Sequence, residues 1–209
     1  MIRVVIADDH RIVRRGIKEI LEDEGDIVIV GDVGTGAQVL DLVRGHDVDI
    51  LLLDIAMPDG GGLEILEQVH RIKPNLRVLI LTMYSEEQFA VRALRAHAYG
   101  YLTKQSAPEE LIEAIRTIAQ GEKYITRALA KVLAADLDQE LTPLHASLSD
   151  REFQILRKIS TGKTLTDISN ELSLSIKTVS TYRGRILTKL RLKNTAEIIR
   201  YGIEHNLAD

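Results

Sequence analysis

The sequence predicts an α/β fold, a doubly wound five-stranded parallel sheet, followed by a second, smaller all-α domain. Five apolar, β-branched runs alternate with helical patterns over the first 120 residues, and no strand-like run interrupts the rest. Residues 1–120 carry 13 basic and 20 acidic residues, whereas residues 121–209 carry 14 and 11, so the net charge changes from −7 to +3. This asymmetry indicates two domains with different partners.

The predicted strands are continuous apolar runs, which are typical of strands covered by helices on both faces. They span 2–8, 26–33, 48–55, 77–84 and 98–104. A helical pattern follows each strand, and the first of these is marked by Ile12, Ile17, Ile20 and Leu21. Because crossovers between parallel strands are right-handed, these repeats build one sheet with helices on both sides.

Polar residues end four of the predicted strands. Asp8 and Asp9 end the first, Asp54 the third, Thr82 the fourth and Lys104 the fifth. In an open α/β sheet, sites form outside the carboxyl ends of the strands, so these side chains should converge. The alternative is that the aspartates cap helices and the lysine lies on the surface. Five such residues at one edge favour a site.

This residue set predicts phosphoryl-transfer chemistry. Clustered carboxylates repel one another, and a hard cation such as Mg²⁺ relieves the repulsion through oxygen ligation. A carboxylate beside that cation can attack phosphorus and form an aspartyl phosphate. Thr82 can donate to an oxygen of the moving group and Lys104 can pair with another. The sequence therefore predicts a phosphoryl acceptor.

Four motifs carry a resemblance: DDH (8–10), DIAMPDGGG (54–62), LT (81–82) and GYLTK (100–104). Over about residues 1–120 the chain resembles the receiver domain of two-component response regulators. The resemblance implies that Asp54 is the phosphorylated aspartate and that Mg²⁺ is held by Asp8, Asp9, Asp54 and the Ala56 carbonyl. It also implies that Thr82 is the switch hydroxyl, Lys104 the phosphate-pairing lysine, and Tyr101 the aromatic residue that turns inward. The alternative for Tyr101 is a half-exposed strand tyrosine.

Some features depart from the receiver pattern or suggest other sites. Gln105 stands where many receivers have proline, and the three glycines at 60–62 make their loop unusually permissive. The segment GDVGTG (31–36) is not a dinucleotide-binding loop, because it follows the second strand and lacks the final glycine. His10 is expected to start a helix and not to bind a metal, and no histidine spacing supports a zinc site.

The second part is predicted to begin after a linker. We divide the chain into a domain of residues 1–121, a helical extension and linker of 122–147 that contains Pro143, and a helical domain of 148–209. Ser149 and Glu152 have the spacing of a capping box at the first helix of that domain. A short second helix and a tight turn lead to a third helix, which Ser175 caps.

The third helix has two different faces. Val179, Tyr182, Ile186 and Leu190 form one apolar line that should face the core. The opposite line is free of acidic residues and consists of Lys177, Ser180, Thr181, Gly184 and Thr188, flanked by Arg183, Arg185 and Lys189. A slim polar face bordered by cations suits the major groove of DNA. The alternative is a solvated basic face.

Residues 148–194 resemble the LuxR-type helix-turn-helix, and with the receiver they resemble the NarL/FixJ class of response regulators. The resemblance implies that Ser180, Thr181 and Gly184 approach bases while Lys177, Thr178 and Arg185 lie near phosphates. We expect the last helix, 195–205, to expose Ile198, Ile199 and Tyr201 as a dimer contact.

These expectations combine into a phosphorylation-controlled, DNA-binding transcription regulator that is not a turnover enzyme. The expected cofactor is Mg²⁺, and the expected partners are a sensor histidine kinase, double-stranded DNA, a second copy of the chain and RNA polymerase. No run approaches the ~18 apolar residues of a membrane span, no signal peptide is recognised, and no cysteine allows disulfides. We expect a cytoplasmic protein.

Two alternatives remain. One is a phosphorylation-independent DNA-binding protein that uses the receiver only for dimerisation. The other is an aspartate-nucleophile phosphatase, for which the sequence shows neither a general acid nor a substrate-binding cap.

Overall fold

The computed structural model describes residues 1–57, 61–137, 144–205 and 207. The chain divides into two units, Met1–Gln139 and Glu140–Asp209. The division falls inside the segment predicted as helical extension and linker, and the helix of that segment belongs to the first unit. Pro143 lies outside the described residues, and the predicted boundaries after residues 121 and 147 stay predictions.

The first unit confirms the predicted α/β fold. Its strands are β1 Ile2–Ala7, β2 Ile27–Val33, β3 Ile50–Leu53, β4 Arg77–Thr82 and β5 Gly100–Thr103, and its helices are α1 Arg11–Glu22, α2 Gly36–Gly45, α3 Gly62–Ile72, α4 Glu86–Arg95, α5 Pro108–Ala119 and α6 Arg127–Leu137. All strand pairs are parallel, in the order β2-β1-β3-β4-β5. The order reverses between β1 and β3, which is where a crevice forms in such sheets.

The register of the strands brings the polar strand-end residues together. Ala7 pairs with Leu53, so the next residues, Asp8 and Asp54, leave the sheet side by side. The Asp54 amide still donates to the Ala7 carbonyl at 2.9 Å. The predicted convergence at one sheet edge is therefore present in the fold.

The middle of the sheet is covered on both faces, as the continuous apolar runs predicted. Every residue of β3 is buried, and Val78 to Thr82 of β4 are buried as well. Ile17 and Leu21 of α1 are buried against this sheet, whereas Ile12 is 88% exposed. The apolar pattern of α1 thus identified the core face correctly except in its first turn.

The second unit is helical throughout its described residues. It contains a short 3-10 helix at Leu144–Ser147, then α7 Asp150–Ser160, α8 Leu165–Glu171, α9 Ile176–Leu190 and α10 Thr195–Glu204. The predicted capping box is present, because the Ser149 hydroxyl accepts from the Glu152 amide and the Glu152 carboxylate accepts from the Ser149 amide. The Ser175 hydroxyl accepts from the Thr178 amide at 3.0 Å and starts α9, as predicted.

The exposure expected of three residues on α10 was wrong, while the dimer contact expected of this helix stays a prediction. Ile198 and Tyr201 are buried, and Ile199 is half-buried. The physical reason is that α10 packs on α7, while the Tyr201 hydroxyl accepts a 3.3 Å hydrogen bond from the His145 amide of the 3-10 helix. The large apolar side chain that α10 exposes is Ile203, at 62%.

Among the described residues, no helix combines the length and the apolarity that crossing a bilayer requires.

Candidate functional site

Two buried carboxylates share one ammonium at the crevice of the first unit. Asp8 and Asp54 are each 2% exposed. The Lys104 Nζ lies 2.6 Å from Asp8 Oδ2 and 2.6 Å from Asp54 Oδ2. Burial alone would lower the pKa of Lys104, but attraction by Asp54 and then Asp8 outweighs it and raises the pKa above its ordinary value. The lysine is therefore charged at neutral pH.

The other carboxylate oxygens are fixed by main-chain amides in the turns after each strand. Asp54 Oδ1 accepts from the Ala56 amide at 3.1 Å, and Asp8 Oδ1 accepts from the His10 amide at 2.8 Å. Both carboxylates are thus oriented before any ligand arrives.

These carboxylates belong to a cluster of side chains that could together hold a metal ion. One ligand atom from each of Asp8, Asp9, His10 and Asp54 lies within 4.8 Å of the others. Three of the four donors are carboxylate oxygens, which suits a hard divalent cation. His10 occupies the N-cap position of α1, as predicted, and its Nδ1 lies 2.7 Å from Asp9 Oδ1. The acidic pocket therefore has the composition of a site for such a cation.

The fourth strand ends in a residue with a hydroxyl group. Thr82 ends β4, which lies between β3 and β5, the strands that precede Asp54 and Lys104. Thr82 is fully buried, and its Oγ1 has no hydrogen-bond partner among the described residues. A buried hydroxyl without a partner is unfavourable, so this group has an unused hydrogen-bonding capacity.

Tyr101 is fully buried and lies on β5. Its hydroxyl donates to the carbonyl oxygens of Tyr84 at 3.0 Å and Ser85 at 3.2 Å. Both acceptors belong to the loop that joins Thr82 to α4. The structure thus contradicts the alternative of a half-exposed tyrosine. The two hydrogen bonds of Tyr101 also link β5 to the loop that follows Thr82.

The glycines before α3 let the chain approach Asp54 closely. A Cβ atom on Gly62 would lie 2.2 Å from the Asp54 carbonyl oxygen and 2.6 Å from Ile55 Cα. Gly61 has φ of 87°, a conformation that other residues rarely adopt. Pro58, Asp59 and Gly60 lie outside the described residues. Gly62 is needed because main-chain atoms occupy the place of a Cβ, and Gly61 is needed because of its positive φ.

One residue beside the pocket was not predicted from the sequence. Arg14 donates to the Asp8 carbonyl oxygen and to the carboxylate of Asp32, which belongs to β2. No sequence signal joins residues 18 positions apart on different elements, so only the fold reveals this contact.

The predicted DNA-facing side of α9 is largely accessible. Lys177, Ser180, Thr181, Gly184 and Arg185 are exposed, and Thr178 and Arg183 are half-buried. The Thr181 hydroxyl donates to the Lys177 carbonyl at 3.0 Å. A Cβ atom added to Gly184 would have no neighbour within 4 Å. The packing of this unit therefore does not require a glycine there.

The opposite side of α9 differs from the prediction in one residue, Tyr182. Val179, Ile186 and Leu190 are buried as predicted, but Tyr182 is only half-buried. Arg185 lies over the Tyr182 ring, with its Cζ 5.6 Å from the centroid.

Lys189 has a partner within its own unit. Its Nζ lies 2.6 Å from Oε2 of the buried Glu152, the capping-box residue of α7. This ion pair competes with a phosphate contact, so the assignment of Lys189 to DNA binding stays a prediction that its position does not favour.

Two known families match the chain, one in each unit. Residues 4–116 match the family described as response regulator receiver domain, and residues 146–202 match the bacterial regulatory proteins of the luxR family. The chain belongs to the response regulators of the NarL/FixJ class, and it is a DNA-binding transcription regulator of a two-component system.

Curated relatives match along the whole chain. The chain is 37% identical to the response regulator UvrY of Escherichia coli strain K12, covering 100% of this chain and 97% of UvrY. It is also 37% identical to the response regulator GacA of Pseudomonas aeruginosa, covering 100% and 99%. The similarity thus extends over nearly the full length of both relatives.

Solved structures share the fold. RcsB of Salmonella enterica serovar Typhimurium, bound to promoter rprA in the presence of the phosphomimetic BeF3⁻, is 28% identical with a TM-score of 0.64, over 96% of this chain and 98% of that one. A second structure, an RcsB–DNA complex, has 28% sequence identity and a TM-score of 0.62, over 96% of each chain.

Proposed function

We propose that a sensor histidine kinase phosphorylates Asp54, with Mg²⁺ held by Asp8, Asp9, Asp54 and the Ala56 carbonyl, and that this modification controls binding to double-stranded DNA. The observation that carries the proposal is the convergence of Asp54, Asp8 and the Lys104 ammonium at the sheet edge. When bound, Mg²⁺ supplies positive charge that neutralises oxygens of the phosphoryl group.

Asp54 is oriented for attack. The Ala56 amide and the Lys104 ammonium hold its two carboxylate oxygens from different sides. In the transfer, an oxygen–phosphorus bond forms at Asp54 as the bond to the donor breaks, and the donor keeps the electron pair. Lys104 then pairs with an oxygen of the new aspartyl phosphate, because an ammonium is a strong donor to phosphate.

The fold provides a path for the response. The buried Thr82 hydroxyl donates to a phosphoryl oxygen and thereby satisfies its own hydrogen-bonding capacity. Movement of Thr82 shifts the loop whose carbonyls Tyr101 holds. The altered receiver surface favours a homodimer, and a dimer matches a two-fold DNA site.

The DNA contacts of this proposal lie on α9. Lys177, Thr178, Arg183, Arg185 and, less favourably, Lys189 bind phosphates, while Ser180, Thr181 and Gly184 approach bases. RNA polymerase is a further proposed partner, and the cytoplasmic location stays an expectation. The receiver accepts a phosphoryl group and loses it slowly, without turnover of a substrate.

The test compares Asp54→Asn with Asp47→Asn, which changes an aspartate whose side chain is 84% exposed. With acetyl phosphate and Mg²⁺, we expect intact-mass spectrometry to show one phosphoryl group on the wild type and on Asp47→Asn, and none on Asp54→Asn. Undiminished labelling of Asp54→Asn would disprove the assignment. Equal DNA affinity of phosphorylated and unphosphorylated wild type would instead favour the phosphorylation-independent alternative.

A further inference from the structure

Arg14 joins the ends of two strands beside the acidic pocket. Its side chain is only 14% exposed. The guanidinium Nη1 donates to the Asp8 carbonyl oxygen at 2.5 Å, and Nε donates to Asp32 Oδ2 at 3.0 Å. One planar side chain therefore ties the first residue after β1 to the carboxylate near the end of β2.

These contacts hold the main chain of Asp8 from both sides. The Asp8 amide donates to the Val33 carbonyl at 3.1 Å, while its carbonyl accepts from Arg14. The Asp8 carboxylate in turn accepts from the His10 amide and from Lys104. With both main-chain groups fixed, the direction of the Asp8 carboxylate is set by the fold.

Gly34 leaves room for this arrangement. A Cβ atom there would lie 3.3 Å from Arg14 Nη1 and 3.8 Å from the Asp8 carbonyl oxygen. The first distance is tighter than ordinary contact, so a larger residue would press on the guanidinium. The space for Arg14 is therefore built by a residue on a third segment, between β2 and α2.

Asp32 anchors the guanidinium as an ionised carboxylate. A hydrogen bond from Lys18 and, after the opposing effect of burial, one from Arg14 hold the pKa of Asp32 below its ordinary value. Lys18 binds Oδ1 of Asp32, whereas Arg14 binds Oδ2. No hydrogen bond or ion pair joins Lys18 to Asp8 among the described residues, so Lys18 offers a matched comparison for Arg14.

We propose that Arg14 is a positioning residue of the phosphoryl-acceptor site. By holding the Asp8 main chain against Asp32, it keeps the Asp8 carboxylate in place for Mg²⁺. The inference rests on the proposed function, because Asp8 is one of the proposed ligands. Groups that orient metal ligands typically change metal affinity about 10- to 100-fold when removed. An ammonium cannot replace the guanidinium, because Arg14 uses two donors in a fixed geometry.

The test measures Mg²⁺ binding to the full chain by isothermal titration calorimetry. We expect Arg14→Ala to weaken Mg²⁺ binding by about tenfold and Arg14→Lys to restore little of it. Lys18→Ala, which removes the other cation from Asp32, should bind Mg²⁺ nearly as tightly as the wild type. A second readout is the exchange rate of the His10 amide proton, which should rise in Arg14→Ala because its acceptor, the Asp8 carboxylate, is less well held.

Labelling by acetyl phosphate separates positioning from general damage. In Arg14→Ala the Mg²⁺ concentration for half-maximal labelling should rise about tenfold, while the rate at saturating Mg²⁺ stays near that of the wild type. Gly34→Ala provides a second, milder perturbation of the same guanidinium, and it should shift the Mg²⁺ dependence in the same direction. This variant keeps the inference testable if Arg14→Ala fails to fold.

The outcomes distinguish this inference from the proposed function. If the wild type binds Mg²⁺ and is labelled, but Arg14→Ala and Gly34→Ala match it, only the positioning role is overturned. Equal losses in Arg14→Ala and Lys18→Ala overturn it too, because the effect would then arise from charge near Asp32. If the wild type neither binds Mg²⁺ nor is labelled, the proposed function fails and this inference fails with it.

Discussion

The hydroxyl of Tyr101 lies 3.0 Å from the carbonyl oxygen of Tyr84 and donates a hydrogen bond to it. This contact joins β5 to the loop that begins directly after Thr82. Because Tyr101 is fully buried, the loop is held from inside the unit and not from its surface. The same loop leads into α4, whose first residue, Glu86, accepts a hydrogen bond from the Thr126 hydroxyl at the start of α6.

We expect Tyr101→Phe to keep labelling at Asp54 but to reduce the gain in DNA affinity caused by the phosphate mimic beryllofluoride. The ring still fills the core, whereas the hydrogen bond to the loop is lost, at about 1 kcal/mol of stability. DNA titrations with and without beryllofluoride measure the effect. Tyr99→Phe, at a half-buried tyrosine, is the control. An unchanged gain in Tyr101→Phe would show that its hydroxyl has no part in the response.

Lys104→Ala should separate phosphorylation from dimerisation. The lysine pairs with Asp54, so its loss removes the cation that the aspartyl phosphate would attract. We expect partial labelling by acetyl phosphate but no increase in molar mass by light scattering, with the exposed Lys123→Ala behaving as the wild type. If labelled Lys104→Ala dimerises as strongly as the wild type, the role of the lysine is only structural.

Glu152 makes the stability of the second unit sensitive to acid. Burial alone would raise the pKa of Glu152, but hydrogen bonds from Lys189 and Ser149 outweigh it and lower the pKa below its ordinary value of 4.5. A carboxylate with a lowered pKa stabilises the fold above its unfolded pKa, and this stabilisation is lost as the pH falls through the folded pKa. We therefore expect the unit to lose stability as the pH is lowered from 4.5.

Glu152→Gln should be less stable than the wild type at neutral pH and should lose less stability on acidification. Thermal unfolding of a fragment of residues 140–209, followed by circular dichroism at several pH values, measures both effects. Glu204→Gln changes an exposed glutamate and is the control. Parallel pH profiles for Glu152→Gln and the wild type would contradict the role of this ion pair.

Gly184→Ala should stabilise the second unit and yet impair DNA recognition. Alanine is favoured over glycine in a helix by about 1 kcal/mol, and the added methyl group meets open space within the unit. If Gly184 approaches bases, the same methyl group should weaken binding to the preferred site more than to scrambled DNA. In contrast, Lys177→Ala should weaken both and reduce the salt slope by about one unit. Equal losses for Gly184→Ala on both duplexes would show that this face does not read bases.

The sequence predicted the sheet, its helices and the acidic pocket because these features depend on the order of strands, helices and strand-end residues along the chain. Asp8, Asp54 and Lys104 each directly follow a strand, and parallel strands bring their carboxyl ends to one edge of the sheet. The capping box of α7 and the start of α9 were also predictable from nearby residues, since each depends on a hydrogen bond between a hydroxyl and a main-chain amide three residues later.

Features that depend on partners distant in the chain escaped prediction. Tyr201 was expected to be exposed, but the 3-10 helix, 56 residues earlier, meets it. The ion pair between Lys189 and Glu152, which lie 37 residues apart, gave no sequence signal either. The sequence did not indicate a role for Arg14, because that role depends on its hydrogen bond to Asp32 on another element. Helical periodicity indicates which side of a helix is polar but not which polar groups meet.

The close approach of Gly62 to the Asp54 carbonyl limits which residues evolution can place at position 62. Most side chains around a site are replaceable to some degree, since a neighbour can change its rotamer. At Gly62 the obstacle is main chain, which has no alternative rotamer to adopt. A residue that offers no charge, no ligand atom and no side chain should therefore tolerate fewer substitutions than many residues that line the pocket.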